Sequence, residues 1–176
     1  MNLRLKRTPG IYMVGFMGSG KSTIGRQLAL RLGWNFFDTD GEIEAARKMK
    51  IGEIFSAHGE PEFRRMETDI IRYHVGWIER GRPAVLALGG GAYVTPPNRE
   101  LLENNGITVW LDCPFETVER RVAPATHRPL ARDPEAFLGL FNSRRELYHL
   151  ADAHIAIQTD DPEVVVDLIL AHPLFQ

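Results

Sequence analysis

GFMGSGKS, residues Gly15 to Ser22, matches the phosphate-binding P-loop pattern in every fixed position. An apolar segment, Ile11 to Val14, precedes it and an amphipathic segment, Lys21 to Leu32, follows it, which is the strand-to-helix context that the pattern requires. Its glycines let successive backbone amides turn toward an anion, and the helix start adds the positive end of its dipole. The stretch therefore predicts a cradle for nucleotide phosphates.

Two side chains of the cradle carry the expected chemistry. Lys21 supplies a full positive charge for the β- and γ-phosphates, and the Ser22 hydroxyl is an oxygen ligand of the kind that Mg²⁺ prefers. The residues expected to contact the nucleotide here are Gly18, Ser19, Gly20, Lys21, Ser22 and Thr23. NTPases, nucleotide kinases, small-molecule kinases and GTPases share this motif, so it does not choose among them.

Short apolar runs alternate with longer amphipathic runs along the chain, which is typical of an α/β fold with a parallel sheet. The predicted strands are Ile11 to Val14, Asn35 to Phe37, Ala84 to Leu88, Ile107 to Leu111 and His154 to Gln158. The predicted helices are Lys21 to Leu32, Glu60 to Arg80, Asn98 to Asn104, Phe115 to Val122 and Pro162 to Ala171. Each strand is apolar enough to predict a sheet covered on both faces. The prolines at 96, 134 and 162 predict helix entries.

The chain has 176 residues, of which 44% are hydrophobic, and this length predicts one compact domain, residues 1–176. The 21 basic and 23 acidic side chains nearly balance, so we expect no nucleic-acid or membrane partner. The single cysteine, Cys113, excludes an intrachain disulfide and fits a reducing cytoplasm. No apolar run approaches the length of a membrane span, and we expect a protein that is not exported.

Two carboxylates, Asp38 and Asp40, stand at the end of the second predicted strand. Residues two apart share a face of a strand, so both can point into the crevice at the carboxyl edge of the sheet. One carboxylate could hold Mg²⁺ while the other accepts a proton from an attacking hydroxyl. The alternative is that Asp40 only caps a helix that starts at Gly41.

The long predicted helix opens with two arginines, Arg64 and Arg65, a poor place for cations beside the positive end of a helix dipole. A bound carboxylate, or an ion pair between Arg64 and Glu67 at i,i+3, would explain this placement. Ordinary surface arginines are the alternative.

Three consecutive glycines, Gly89 to Gly91, follow the third predicted strand and offer bare backbone to a small polar substrate. A plain tight turn would need only one or two of them. Farther along the chain, Arg121, Arg128 and Arg144 supply guanidinium groups that suit carboxylate and phosphate. The segment between the helices, about residues 123–134, has no apolar periodicity and predicts a functional loop.

Taken in order, the motifs GxxGSGKS, FDTD, GExxFRxxE, GGG, RPL and RxxLY resemble those of the shikimate kinase family over essentially the whole chain. The resemblance implies a P-loop fold of the nucleoside-monophosphate-kinase type, with a five-stranded parallel sheet flanked by helices, a substrate part at about residues 39–66 and a mobile lid at about 123–134. It implies ATP and Mg²⁺ as cofactors, and transfer of the γ-phosphoryl group of ATP to the 3-hydroxyl of shikimate in aromatic amino acid biosynthesis in the cytoplasm.

The resemblance also implies a role for individual residues. Asp40 is the implied base, and the implied shikimate ligands besides Asp40 are Arg64, Gly90, Gly91 and Arg144, with Glu67 orienting Arg64. Ser22 and Asp38 would serve the metal, Arg121 would lie near the adenine, and Lys21 and Arg128 would contact the transferred phosphate. Because Arg145 directly follows Arg144, it could compete for the same role.

Two other functions remain open on the sequence alone. The first is another P-loop small-molecule kinase, such as a gluconate kinase. The second is a nucleotide-binding regulatory module without catalysis, although such a module has no need of an acceptor base. Nothing indicates an extended apolar face beyond the core, so we expect a monomer.

Overall fold

The computed structural model describes residues 10–123 and 133–176, which form a three-layer α/β fold around one parallel sheet. The strands are β1 (Gly10–Val14), β2 (Asn35–Asp38), β3 (Ala84–Ala87), β4 (Ile107–Asp112) and β5 (Ala153–Ala156). Their order in the sheet is β2-β3-β1-β4-β5, and every neighbouring pair is parallel. The predicted fold class is confirmed.

The helices begin and end close to the predicted residues wherever a helix was predicted. They are α1 (Lys21–Leu32), α2 (Thr39–Arg47), α3 (Ile51–His58), α4 (Glu60–Glu79), α5 (Pro96–Glu103), α6 (Phe115–Val122), α7 (Pro134–Tyr148) and α8 (Pro162–Ala171). The expected helix entries are also observed, since α5, α7 and α8 each begin at a proline. Asp133 and Asp161 cap α7 and α8 by accepting backbone amide hydrogen bonds.

The two edge strands differ from the expectation of a sheet covered on both faces. β1 and β3, in the middle of the sheet, are buried at every position. In β5 buried and exposed residues alternate, and β2 is only partly buried. Edge strands have a neighbour on one side only, so the flanking helices leave part of each uncovered.

A second, smaller apolar cluster lies apart from the main core. It contains Ile43 of α2, Ile54 of α3, and Phe63 and Met66 of α4, all at most 9% exposed. This cluster packs α2 and α3 against the first turns of α4. These elements therefore have a core of their own beside the carboxyl edge of the sheet.

Strand order brings the polar motifs together. Because β3 lies between β1 and β2, the loops that follow these three strands meet at one edge of the sheet. They carry the P-loop after β1, Asp38 to Asp40 at the end of β2, and the three glycines after β3. No helix in the described ranges is long and apolar enough to cross a membrane.

Candidate active site

The P-loop has the cradle geometry that its sequence predicts. Gly18 and Gly20 adopt positive φ angles of 78° and 96°, which glycine accepts without strain. Lys21 Nζ donates hydrogen bonds to the carbonyls of Gly15 and Phe16, both at 2.9 Å. The first turn of α1 contains no acidic residue of its own, so the positive end of its dipole favours a bound anion. Backbone, charge and helix end all fit a bound phosphate chain.

Asp38 joins the second strand to the P-loop. One of its carboxylate oxygens accepts a hydrogen bond from the amide of Gly41 at 3.2 Å and so caps α2. The other oxygen accepts a short hydrogen bond from the hydroxyl of Ser22. Ser22 and Asp38, the two residues expected to supply oxygen ligands to the metal, are thus in direct contact at the start of α1.

The capping alternative for Asp40 is wrong, because α2 begins at Thr39 and Asp38 is its cap. Asp40 lies in the first turn of α2, with Oδ1 buried and without a hydrogen-bond partner among the described residues. Burial raises the pKa of Asp40, Lys21 acts to lower it and the charge of Asp38 raises it further. An acceptor without a partner, close to the P-loop lysine, can receive a hydroxyl proton.

The two neighbouring arginines near the start of α4 have different environments. The side chain of Arg64 is 23% exposed, and its Nη1 lies 2.8 Å from Oε1 of Glu67, which is 1% exposed. Arg65 is 63% exposed and pairs with Glu62 on the surface. The ion pair with Glu67 explains the cation near the start of this helix, and the surface interpretation holds only for Arg65.

The three glycines are all in close contact with candidate site residues. A Cβ at Gly89 would lie 2.5 Å from Oδ1 of Asp40 and 2.9 Å from Oε2 of Glu67. A Cβ at Gly91 would overlap the guanidinium of Arg64. At Gly90 it would lie 3.3 Å from Nη1 of Arg144. The run of glycines therefore makes room for functional side chains, which a plain turn does not require.

Arg144 and Arg145 are separated by the geometry of α7. Arg145 donates to Asp112 at 2.9 Å and lies over the ring of Trp110, facing β4. Arg144 is partly buried and faces the loop after β3, with no carboxylate ion pair among the described residues. Of the two, Arg144 is therefore the one that lines the cavity described next.

An open cavity of about 480 Å³ lies between α4, α7 and the 3₁₀ turn Ala92–Val94. Arg64, Gly91 and Arg144 line it, together with apolar side chains of α7. Two guanidinium groups face it from opposite walls, an arrangement that suits a small anion.

The nucleotide side of the site is only partly described. Arg121 donates to the carbonyl of Gly18 at 3.0 Å and to Asp160 at 2.6 Å, so it joins the P-loop to the loop before α8. Arg128 and most of the predicted lid lie outside the described residues.

Sequence reasoning missed two residues that hold the site together. The hydroxyl of Thr39 is buried, donates to the carbonyl of Ala87 and accepts from the amide of Gly89, both at 3.3 Å. The hydroxyl of Tyr148 donates to the carbonyl of Gly90 at 2.5 Å. Both contacts are long-range, and the only signal in the sequence is that each residue stands inside a motif, FDTD or RxxLY.

A P-loop at the carboxyl edge of a parallel sheet, a buried Asp40 whose Oδ1 has no partner among the described residues, and a cavity lined by two arginines are together typical of a P-loop phosphotransferase. A family model described as shikimate kinase matches residues 17–172. The chain belongs to the shikimate kinase family.

Relatives agree with this assignment over almost the whole chain. The chain is 40% identical to the shikimate kinase of Rhodopseudomonas palustris over 92% of its length and 79% of the relative. It is 43% identical to that of a Synechococcus species, over 94% of its length and 83% of the relative. The predicted activity, ATP-dependent phosphorylation of shikimate with Mg²⁺ in aromatic amino acid biosynthesis, is confirmed at the level of the family.

Solved structures show the same fold. A shikimate kinase from Acinetobacter baumannii in complex with shikimate has a TM-score of 0.81 and 36% identity, covering 95% of this chain and 96% of its own. A gluconokinase from Sinorhizobium meliloti has a TM-score of 0.57 and 17% identity, covering 94% and 91%. That second likeness shows the shared fold alone, so the gluconate kinase alternative gains nothing from it.

Proposed function

We propose that shikimate binds in the cavity between α4 and α7, with its carboxylate between Arg64 and Arg144 and its 3-hydroxyl directed to Asp40. The observation that carries this proposal is the state of Arg144, a partly buried cation that faces the cavity without a carboxylate partner among the described residues. Burial lowers the pKa of Arg144, which marks an incompletely compensated charge. A substrate carboxylate supplies the missing partner.

The backbone of the glycine loop completes the anion site in this proposal. Within residues 10–123 and 133–176, the amides of Gly90 and Gly91 donate to no protein acceptor. They stand next to the two arginines, because Gly90 approaches Arg144 and Gly91 approaches Arg64. Fixed amides and guanidinium groups around one cavity favour a carboxylate over a neutral group of similar size.

The P-loop side would hold ATP and its metal. Gly18 to Thr23 would surround the phosphates, Ser22 and Asp38 would hold Mg²⁺, and Arg121 would lie near the adenine. Bound MgATP supplies the phosphoryl group and an ion that offsets charge on it. Lys21 and, from the lid, Arg128 would stabilise that charge during transfer.

Asp40 would act as the base that accepts the proton of the 3-hydroxyl. Its buried Oδ1 has no partner in the described ranges, so it is available to the substrate hydroxyl. Phosphoryl transfer proceeds through a loose transition state, in which positioning and charge stabilisation dominate. Arg64, held by Glu67, and Arg144 would therefore contribute mainly by fixing the hydroxyl in line with the phosphate.

The proposal also includes a substrate part, a lid, and the state and location of the protein. The separate apolar cluster of α2, α3 and α4 supports a substrate part at about residues 39–66 within one kinase domain. The lid at about 123–134 would close over the nucleotide and exclude water from the transfer. The near-balanced charge of the chain fits a protein without nucleic-acid or membrane partners, and a monomer in the cytoplasm belongs to the same proposal.

Substitution of two neighbouring arginines, Arg144 and Arg145, tests the proposed carboxylate site. Arg144→Lys keeps the charge and loses the fork, so the KM for shikimate should rise at least tenfold while the KM for ATP stays near wild type. Arg145→Lys, in the same helix but paired with Asp112, is the matched control and should leave both constants unchanged. Steady-state ADP release measures all four values. Equal effects of the two substitutions, or a primary effect on ATP, would contradict the proposal.

A further inference from the structure

Tyr148 lies between the two walls of the proposed shikimate site. It is the last residue of α7, four positions after Arg144, and it is 2% exposed. Its hydroxyl donates to the carbonyl of Gly90 at 2.5 Å, on the loop after β3. Gly90 in turn borders Arg144, since a Cβ at Gly90 would lie 3.3 Å from Nη1 of that arginine. Tyr148 thus bonds to the backbone that borders the Arg144 guanidinium, and it lies one helical turn after Arg144 on α7.

Donor chemistry fixes the direction of this contact. A carbonyl can only accept, whereas a hydroxyl has one proton and two lone pairs. Tyr148 therefore donates to Gly90 and keeps its lone pairs on the side of the cavity where Arg144 supplies positive charge. The neutral phenol is the form that does so, because burial raises the pKa of Tyr148, with the nearby Arg144 acting to lower it.

We infer that Tyr148 is a positioning residue for shikimate, which sets the spacing between the Arg144 guanidinium and the Gly90–Gly91 amides. The inference rests on the proposed function, since it assumes that these groups hold the substrate carboxylate. Without the hydroxyl, the Gly90 carbonyl is left without its partner, and the glycine loop is no longer tied to the end of the helix that carries Arg144. The Arg144 guanidinium and the Gly90–Gly91 amides would then no longer have the spacing that binds the substrate carboxylate.

A second buried tyrosine provides a matched control. Tyr12 of β1 is 0% exposed and also donates its hydroxyl to a backbone carbonyl, that of Asn105, at 2.8 Å. Asn105 precedes β4, so this bond lies at the amino edge of the sheet, opposite the site. Tyr12→Phe and Tyr148→Phe each remove one buried hydroxyl and should destabilise the protein to a similar extent.

Only Tyr148→Phe should change substrate recognition. The net effect of losing one hydrogen bond predicts a KM for shikimate about three- to tenfold higher, with kcat within about twofold and the KM for ATP unchanged. Tyr12→Phe should leave all three constants near wild type. If a variant unfolds under assay conditions, its shikimate affinity can be measured by calorimetry at about 15 °C, near the temperature of maximum stability of many domains.

Combination with Arg144→Lys shows whether Tyr148 acts through the arginine. If it does, the two effects should be less than additive in R144K/Y148F. A KM for shikimate in Tyr148→Phe no higher than in Tyr12→Phe would overturn the inference, as would an equal rise in the KM for ATP or full additivity in the double variant. If Arg144→Lys alone leaves the KM for shikimate unchanged, the proposed site itself fails.

Discussion

Glu67 holds Arg64 from one side only. Its Oε1 lies 2.8 Å from Nη1 of Arg64, while its Oε2 is buried without a hydrogen-bond partner among the described residues. Burial raises the pKa of Glu67 to about 7, against the opposing effect of Arg64. The interaction with Arg64 therefore does not fully offset the cost of burying the Glu67 charge, and the ionised form of this carboxyl is disfavoured in the folded state.

Glu67→Gln should make stability depend less on pH. The folded protein binds more protons than the unfolded chain between pH 4.5 and about 7, so the contribution of Glu67 to stability falls as pH rises through this window. The variant should match wild type near pH 4.5 and exceed it at pH 8 by up to about 3 kcal/mol, as the shift in pKa implies. Urea unfolding of both proteins at several pH values measures the difference.

The same substitution should impair function, which separates positioning from stability. Glutamine cannot hold Arg64 by charge, so the KM for shikimate should rise in Glu67→Gln even at pH 8. A stability difference that is independent of pH would contradict the raised pKa.

Gly91→Ala should weaken shikimate binding without unfolding the protein. The new Cβ would meet the guanidinium of Arg64, the far end of a flexible side chain, and the backbone at Gly91 has a φ of −94° that any residue adopts. Arg64 would therefore move, and the KM for shikimate should rise about tenfold or more with little change in melting temperature.

Gly139→Ala is the control for that substitution. Gly139 lies inside α7, and a Cβ there would meet no described atom within 4 Å apart from its chain neighbours and the nearby backbone of α7. Alanine should therefore stabilise the protein by about 0.5–1 kcal/mol and leave both KM values unchanged. A Gly91→Ala protein with a normal KM for shikimate would show that Arg64 does not need its present position.

Arg121→Ala should affect the nucleotide alone. Arg121 and Arg120 both pair with Asp160, but only Arg121 contacts the P-loop, through the carbonyl of Gly18. The KM for ATP should rise about three- to tenfold in Arg121→Ala, as expected for the loss of one or two hydrogen bonds, and stay normal in Arg120→Ala. Equal effects of the two substitutions would mean that the KM for ATP depends on pairing with Asp160 and not on contact with the P-loop.

Local patterns were enough to predict the sheet and most of the helices. The P-loop fixed β1 and α1, and the bounds of α1, α6 and α8 agree with the predicted residues. Three helices were not predicted over their length. For α7 only the entry at Pro134 was expected. α2 and α3 each bury only one large apolar residue, Ile43 or Ile54, and so lack a clear hydrophobic periodicity.

Side-chain direction and long-range contacts could not be predicted in the same way. Arg64 and Arg65 are neighbours in sequence, and only helix packing shows that the Arg64 side chain is largely buried while that of Arg65 is exposed. The contact of Tyr148 with Gly90 spans 58 positions, and no local pattern predicts it. The ion pair between Glu67 and Arg64 could be predicted from the sequence, because residues at i,i+3 on a helix are neighbours.

Asp38 and Asp40 should fail in different ways when each is changed to asparagine. Asparagine caps helices about as well as aspartate, so Asp38→Asn should keep its melting temperature near wild type. Asp40 is not the cap and its pKa is raised by burial, so Asp40→Asn should not lower the melting temperature at neutral pH. In Asp38→Asn the site loses a charged oxygen beside Ser22, so activity should fall at low Mg²⁺ and recover as Mg²⁺ is raised. In Asp40→Asn the proton acceptor is gone, and kcat should fall by about 10² or more at any Mg²⁺ concentration, with ATP affinity unchanged. A Mg²⁺ titration of kcat on the two variants distinguishes the roles, and a near-normal kcat in Asp40→Asn would remove Asp40 as the base.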